Sequence, residues 1–93
     1  MQERKKELVK HADAIILAPG GWGSLDELFE VLTLNQIGVT NITVGILNVN
    51  GYYDSLLKLF DDMIEKGFVS EKHRKWYIER KDVDSLLKDL LDA

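Results

Sequence analysis

A glycine-rich turn set between two kinds of periodicity constrains this chain more than any other feature. Residues 14–18, Ala-Ile-Ile-Leu-Ala, form a short apolar run, and Leu28-Phe29-Glu30-Val31-Leu32 carries a helical pattern. Between them stands Pro19-Gly20-Gly21-Trp22-Gly23-Ser24-Leu25-Asp26-Glu27. A strand, a glycine turn and a helix in that order make an anion site. The glycines let the backbone approach a ligand and take up positive φ, while the unpaired N–H groups and the dipole of the new helix favour a phosphate. Asp26 and Glu27 follow one turn into that helix, where they meet whatever the phosphate is attached to. The combination points to a phosphorylated small molecule.

The rest of the chain alternates. Residues 2–11 predict a short helix of strong helix formers around Leu8 and Val9, with Arg4 one turn before Leu8 and Lys5 one turn before Val9. Residues 13–18 predict a buried strand. A helix follows over about 24–37, with Leu25, Leu28, Phe29, Leu32 and Ile37 as its apolar stripe, and Gly38 stops it. The β-branched stretch 41–48 predicts a second strand, closed by an Asn50-Gly51 turn. Leu56, Leu57, Phe60, Met63 and Ile64 predict a helix over about 52–66, ended by Gly67. A short helical piece near 70–75 leads to a third strand around 76–79. Asp82 then caps a last helix with Val83, Leu86, Leu87, Leu90 and Leu91 as its apolar positions.

This order, α-β-α-β-α-β-α, predicts a parallel sheet of about three strands covered on both faces. Ligands bind such sheets beyond the carboxyl ends of the strands, where residues 19–24 fall. Three strands also leave an apolar edge unpaired. The chain is therefore expected to be one α/β domain that is part of a larger fold, or to cover its edge by forming a homo-oligomer.

Composition narrows the function class. A net charge of −4 argues against general nucleic-acid binding. With no cysteine there are neither disulfides nor thiolate metal sites, and His11 and His73 lack partners at ligand spacing, so no metal is expected. No apolar run nears the roughly 18 residues that span a bilayer, and the charged N-terminus lacks the apolar core of a signal peptide. A soluble, cytoplasmic protein is expected. Tyr52, Tyr53, Trp76 and Tyr77 read as core or interface rather than base-stacking platforms, and Lys72, Arg74 and Lys75 as a solvated helix face. Trp22 either shields a ligand or marks a partner surface.

The stretch from Pro19 to Glu27 resembles the Pro-Gly-Gly-x-Gly-Thr-x-x-Glu signature of the Lonely Guy family, with Ser24 in place of the threonine. Met1-Gln2-Glu3-Arg4-Lys5 resembles the Met-His-x-Arg-Lys box that precedes it, with Gln2 in place of the histidine. Residues 30–38 and 45–53 are similar to further family segments. Members are cytokinin-activating nucleoside 5′-monophosphate phosphoribohydrolases with a Rossmann-like fold, long labelled lysine decarboxylase-like. The chain resembles the C-terminal half of such an enzyme.

The resemblance implies cleavage of the N-glycosidic bond of AMP or a cytokinin riboside monophosphate, giving free base and ribose 5-phosphate through an oxocarbenium-like transition state. It implies Glu27 as the carboxylate beside the ribose and Arg4 as the second catalytic residue. Lys5, Gly20, Gly21, Trp22, Gly23, Ser24, Asp26 and Thr33 are the implied substrate contacts. No cofactor is implied, a dimer is typical, and the lysine decarboxylase label finds no residue that stands out as a pyridoxal phosphate lysine. Two alternatives stay open. Ser24 and Glu27 also fit a capping box, and a chain without the upstream half could be a nucleotide-binding or structural remnant without turnover.

Overall fold

The computed structural model describes residues 14–92, so the expected helix over 2–11, with Arg4 and Lys5, lies outside the described residues. Strand β1 (Ala14–Leu17), helix α1 (Trp22–Gln36), strand β2 (Thr43–Leu47), helix α2 (Asp54–Glu65), strand β3 (Tyr77–Arg80) and helix α3 (Val83–Asp92) follow in order. Short 3-10 turns at Val49–Gly51 and Glu71–Trp76 lead into α2 and β3. From residue 14 onward the alternation expected from the sequence is the one observed: an α/β unit with a parallel three-stranded sheet, consistent with part of a Rossmann-like fold. The strands lie in the order β1-β2-β3, with Ile16 beside Gly45 and Gly45 beside Ile78. No helix among the described residues is long and apolar enough to cross a membrane.

The pleat of β2 divides the core. Val44 and Ile46 face α1 and α2, where Leu17, Leu28, Val31, Ile42, Tyr53 and Phe60 complete one apolar cluster. Phe60 anchors it, edge-on to Phe29 at 6.4 Å and tilted against Tyr77 at 4.9 Å. Gly45 faces the other way, and the reason for a glycine there is steric. A Cβ would stand 2.8 Å from Leu90 Cδ1 and 2.9 Å from Leu86 Cδ1, so α3 lies directly on the bare strand. The Arg80 guanidinium, bonded to Asp89 at 2.5 Å, fastens the same helix to β3. Ile16 of β1, beside Gly45 in the register, stays 42% exposed, and α3 lies mainly over β2 and β3.

Helix α1 departs from its expected form in two ways. It begins two residues early, at Trp22, with Gly21 as N-cap and the Leu25 N–H closing the first turn on the Gly21 carbonyl at 3.2 Å. A first-turn N–H needs no partner inside the helix, so Trp22 and Gly23 wind in at little cost. Its buried positions are Leu28, Val31 and Asn35, whereas Ile37 from the expected stripe is 66% exposed just past the end. Asn35 is buried because it serves the following loop. Its side-chain amide donates to the Ile42 carbonyl at 2.8 Å, and its oxygen accepts from the Ile42 N–H at 3.0 Å and the Thr40 hydroxyl at 2.7 Å. Gly38 and Gly67 end α1 and α2 at φ of 83° and 81°, as C′ glycines do. Asp82 caps α3 as expected, accepting from the Ser85 N–H at 2.8 Å. Trp76 belongs to the 3-10 turn rather than β3, stacked on His73 at 4.1 Å.

Candidate active site

Three turns meet at the carboxyl end of the sheet: residues 18–21 after β1, 48–53 after β2 and 81–82 after β3. The first carries the glycine motif. Its glycines do not use positive φ, contrary to expectation; that conformation occurs at Gly38, Gly51 and Gly67 instead. Gly20 is required for space: a Cβ there would lie 2.2 Å from the Ser24 Oγ and 3.1 Å from its Cβ. At Gly21 and Gly23 a Cβ would meet none of the described residues within 4 Å, so among these residues the two leave an open surface at the start of α1. Among the described residues no backbone carbonyl outside α1 accepts from the N–H groups of residues 21–24, and no side chain caps the helix. First-turn N–H groups have no acceptor within their own helix, and the dipole adds partial positive charge at this end.

Ser24 stands at the third helical position and not at the N-cap, and no side chain caps α1. The capping-box alternative is overturned, because the chain is already helical where the box requires a flanking residue. The Ser24 side chain instead meets the phenol of Tyr53. Glu27 is exposed on α1, one turn beyond Gly23, and helical side chains lean toward the N-terminus. Its carboxylate therefore projects along the same side of the helix as the open glycine surface. By a rise of about 1.5 Å per residue, that places it some 6 Å along the axis from Gly23, a span a ribose phosphate can bridge. Asp26 is exposed on the neighbouring stripe, in line with Trp22, whose ring is 88% exposed at the helix start.

Thr33 is the one described candidate that lies apart. It borders an apolar groove between α1 and α2 with Phe29, Phe60, Met63, Trp76 and Tyr77. Six positions beyond Glu27 at 100° per residue, it is turned about 120° from that carboxylate. The expected solvated face at Lys72, Arg74 and Lys75 also has a tie: the Arg74 guanidinium bridges Asp61 at 2.6 Å and Glu71 at 2.9 Å.

Two residues absent from the sequence-based candidates reach the glycine turn. The Tyr52 phenol donates to the Gly20 carbonyl at 2.5 Å and the Tyr53 phenol to the Ala18 carbonyl at 2.6 Å, their rings packed edge to face at 4.9 Å. Burial pushes the Tyr53 phenol above its ordinary value of 10.0, and the adjacent Tyr52 pushes the same way, against hydrogen bonding from the Gly20 backbone and Ser24. Tyr53 is itself held by its N–H, which donates to the Asn48 side-chain oxygen at 2.6 Å. The available signal was their place directly after an Asn-Gly turn at the carboxyl end of a strand.

The described residues form an α/β unit with a parallel sheet, consistent with part of a Rossmann-like fold, and carry a glycine turn and a helix N-terminus at the carboxyl edge of that sheet. Residues 1–90 match the model of the family described as "Possible lysine decarboxylase", and the chain belongs to that family. It is 45% identical over its whole length to "Probable cytokinin riboside 5'-monophosphate phosphoribohydrolase LOG4" of Oryza sativa subsp. japonica, covering 40% of that protein. It is 46% identical over 92 residues to "Cytokinin riboside 5'-monophosphate phosphoribohydrolase LOG1" of Arabidopsis thaliana, 99% of this chain against 43% of that one. A third relative, LOG3 of the same plant, is 46% identical over 90 residues and is covered to 42%. The chain thus spans about two fifths of the length of these curated relatives.

Proposed function

We propose that this chain forms part of a nucleoside 5′-monophosphate phosphoribohydrolase, an N-glycosyl hydrolase that releases free base and ribose 5-phosphate. The observation that carries the reading is the open helix N-terminus at Gly21–Gly23 with Glu27 one turn above it. The relatives' names, which specify cytokinin riboside 5′-monophosphate, supply the substrate class. In this reading the first-turn N–H groups of residues 21–24 and the Ser24 hydroxyl bind the 5′-phosphate. The Glu27 carboxylate faces the ribose, where it offsets the positive charge that grows at C1′ as the bond to the base breaks, or takes a proton from the attacking water. Water supplies the new C1′ hydroxyl, and the departing base takes up a proton. Asp26 and Trp22 flank the sugar and base. Arg4 and Lys5, outside the described residues, carry the roles the motif assigns them: a rigid guanidinium fork on ribose or phosphate and an added charge on the phosphate.

In the same reading, residues 1–93 are one α/β unit of a larger Rossmann-like fold in a cytoplasmic protein, which suits a chain without cysteine. A homodimer covers apolar side chains such as Phe68 and Ile37, 78% and 66% exposed; a single monomeric species in light scattering argues against it. A second reading is binding of the nucleotide without turnover.

Incubating the purified chain with AMP, beside a Glu27→Gln variant, and following adenine by chromatography tests the proposal. Adenine from the parent and none from the variant supports hydrolysis through Glu27. Adenine from both removes Glu27 from the chemistry. Binding of AMP with no adenine from either favours the second reading.

A further inference from the structure

We infer that Tyr52 and Tyr53 are positioning residues: their two phenols hold the peptide planes of the glycine turn so that its N–H groups face the ligand side. The inference rests on the functional reading above for the identity of the ligand, but its geometry stands by itself. Ala18 and Gly20 are alternate residues of the turn, and each gives its carbonyl oxygen to one of two adjacent tyrosines. Fixing those two oxygens fixes the peptides 18–19 and 20–21, because a peptide unit is rigid and planar. The carbonyl and N–H of one peptide point in opposite directions. Anchoring the Gly20 oxygen to Tyr52 therefore turns the Gly21 N–H the other way, toward the open surface where no Cβ intervenes.

A glycine turn needs such an anchor. Gly20 and Gly21 lose the most backbone entropy on ordering, and no side chain caps the helix that follows. The anchor is itself rigidly based. Asn48, fully buried, accepts from the Tyr53 N–H at 2.6 Å and donates to Asp54 at 2.7 Å and Glu79 at 2.9 Å. The ends of β2 and β3 are thereby connected through the tyrosine pair to the turn after β1. The two tyrosines share the task unequally: Tyr53 is buried, whereas Tyr52 is 56% exposed at the rim. Loss of the Tyr52 hydroxyl therefore leaves the core untouched and releases only the turn.

The test uses the full 93-residue chain, labelled with 15N, as parent, Tyr52→Phe and Tyr53→Phe, with ribose 5-phosphate as the probe. Phenylalanine keeps the edge-to-face ring pair and removes only the hydroxyl. In Tyr52→Phe the thermal midpoint stays at the parental value. Order parameters at Gly20, Gly21, Trp22 and Gly23 fall from the rigid range near 0.85 toward 0.6, and ribose 5-phosphate binds about five-fold more weakly, the equivalent of one net hydrogen bond. Tyr53→Phe shows the same loss of order together with a lowered midpoint. Unchanged order parameters in both variants overturn the inference. Looser turns with unchanged ribose 5-phosphate affinity overturn the positioning role. Looser turns in a protein whose parent form binds no ribose 5-phosphate uphold the anchor and remove the nucleotide reading.

Discussion

The side-chain amide of Asn48, at the end of β2, donates to the Glu79 carboxylate in β3 at 2.9 Å from a position with no solvent exposure. The same nitrogen reaches Asp54, and the oxygen of the same side chain takes the Tyr53 N–H. Asn48→Ala leaves a buried backbone donor and two carboxylates without their partner. We expect a loss of about 3 kcal/mol, since unsatisfied buried polar groups cost about 1–3 kcal/mol each and charged ones more. Urea denaturation followed by circular dichroism reads it, and a loss below about 1 kcal/mol contradicts the role given to Asn48.

Asn35 makes a sharper chemical test, because its two ends do different things. Asn35→Ala removes all three bonds to the loop before β2, at an expected cost of about 2–3 kcal/mol. Asn35→Asp keeps the acceptor for Thr40 and Ile42 but sets an acceptor-only carboxylate against the Ile42 carbonyl in a buried site. The aspartate variant should therefore gain stability as pH falls and its carboxyl is protonated, whereas the alanine variant should not. Parallel denaturation curves at acid and neutral pH decide between them.

The glycines of the turn should separate into two kinds. Gly20→Ala drives a methyl into Ser24 and should destabilise by about 1–3 kcal/mol, and adding Ser24→Ala should recover part of that loss. Gly23→Ala meets no atom within 4 Å, and at a helical position it should be neutral or stabilising by about 0.5–1 kcal/mol. If Gly23 serves close approach to a ligand, Gly23→Ala combines a fold at least as stable as the parent with weakened ribose 5-phosphate binding. Equal binding by parent and Gly23→Ala removes that role.

Two tyrosines govern the alkaline limit. Burial raises the phenols of both Tyr53 and Tyr77 above 10.0, against a favourable pull from Arg74 on the second. A phenol whose folded value exceeds its unfolded one contributes stability that is fully present below pH 10. That stability is lost as pH rises through the folded value, because the unfolded chain releases its protons first. Stability should be flat through neutrality in this respect and fall above about pH 10. Tyr53→Phe should make the fall shallower, and an equally steep decline in that variant contradicts the assignment.

Much of the architecture was legible in local sequence. The strand at 14–17, the β-branched stretch of β2, the glycines at 38 and 67, the Asn50-Gly51 turn and the Asp82 cap all act through neighbours a few residues away. The start of α1 was misread by two residues. Glycines at 21 and 23 look like loop, yet the first turn of a helix tolerates them because it needs no internal acceptor. Ser24 fits a cap in sequence and becomes a helical residue beside Tyr53 in space.

The sequence by itself determined the order of elements, the place of the glycine turn at the carboxyl end of a strand, and Glu27 one turn into the helix that follows. Those properties depend on backbone periodicity and on contacts within about four residues. Only the tertiary structure decided why Gly45 is bare and what holds the glycine turn in place. Leu90 lies 45 positions from Gly45, Tyr53 is 35 from Ala18, and Asn48 is 31 from Glu79. Contacts at such separations exist only once three parallel strands have closed, and no local pattern encodes them.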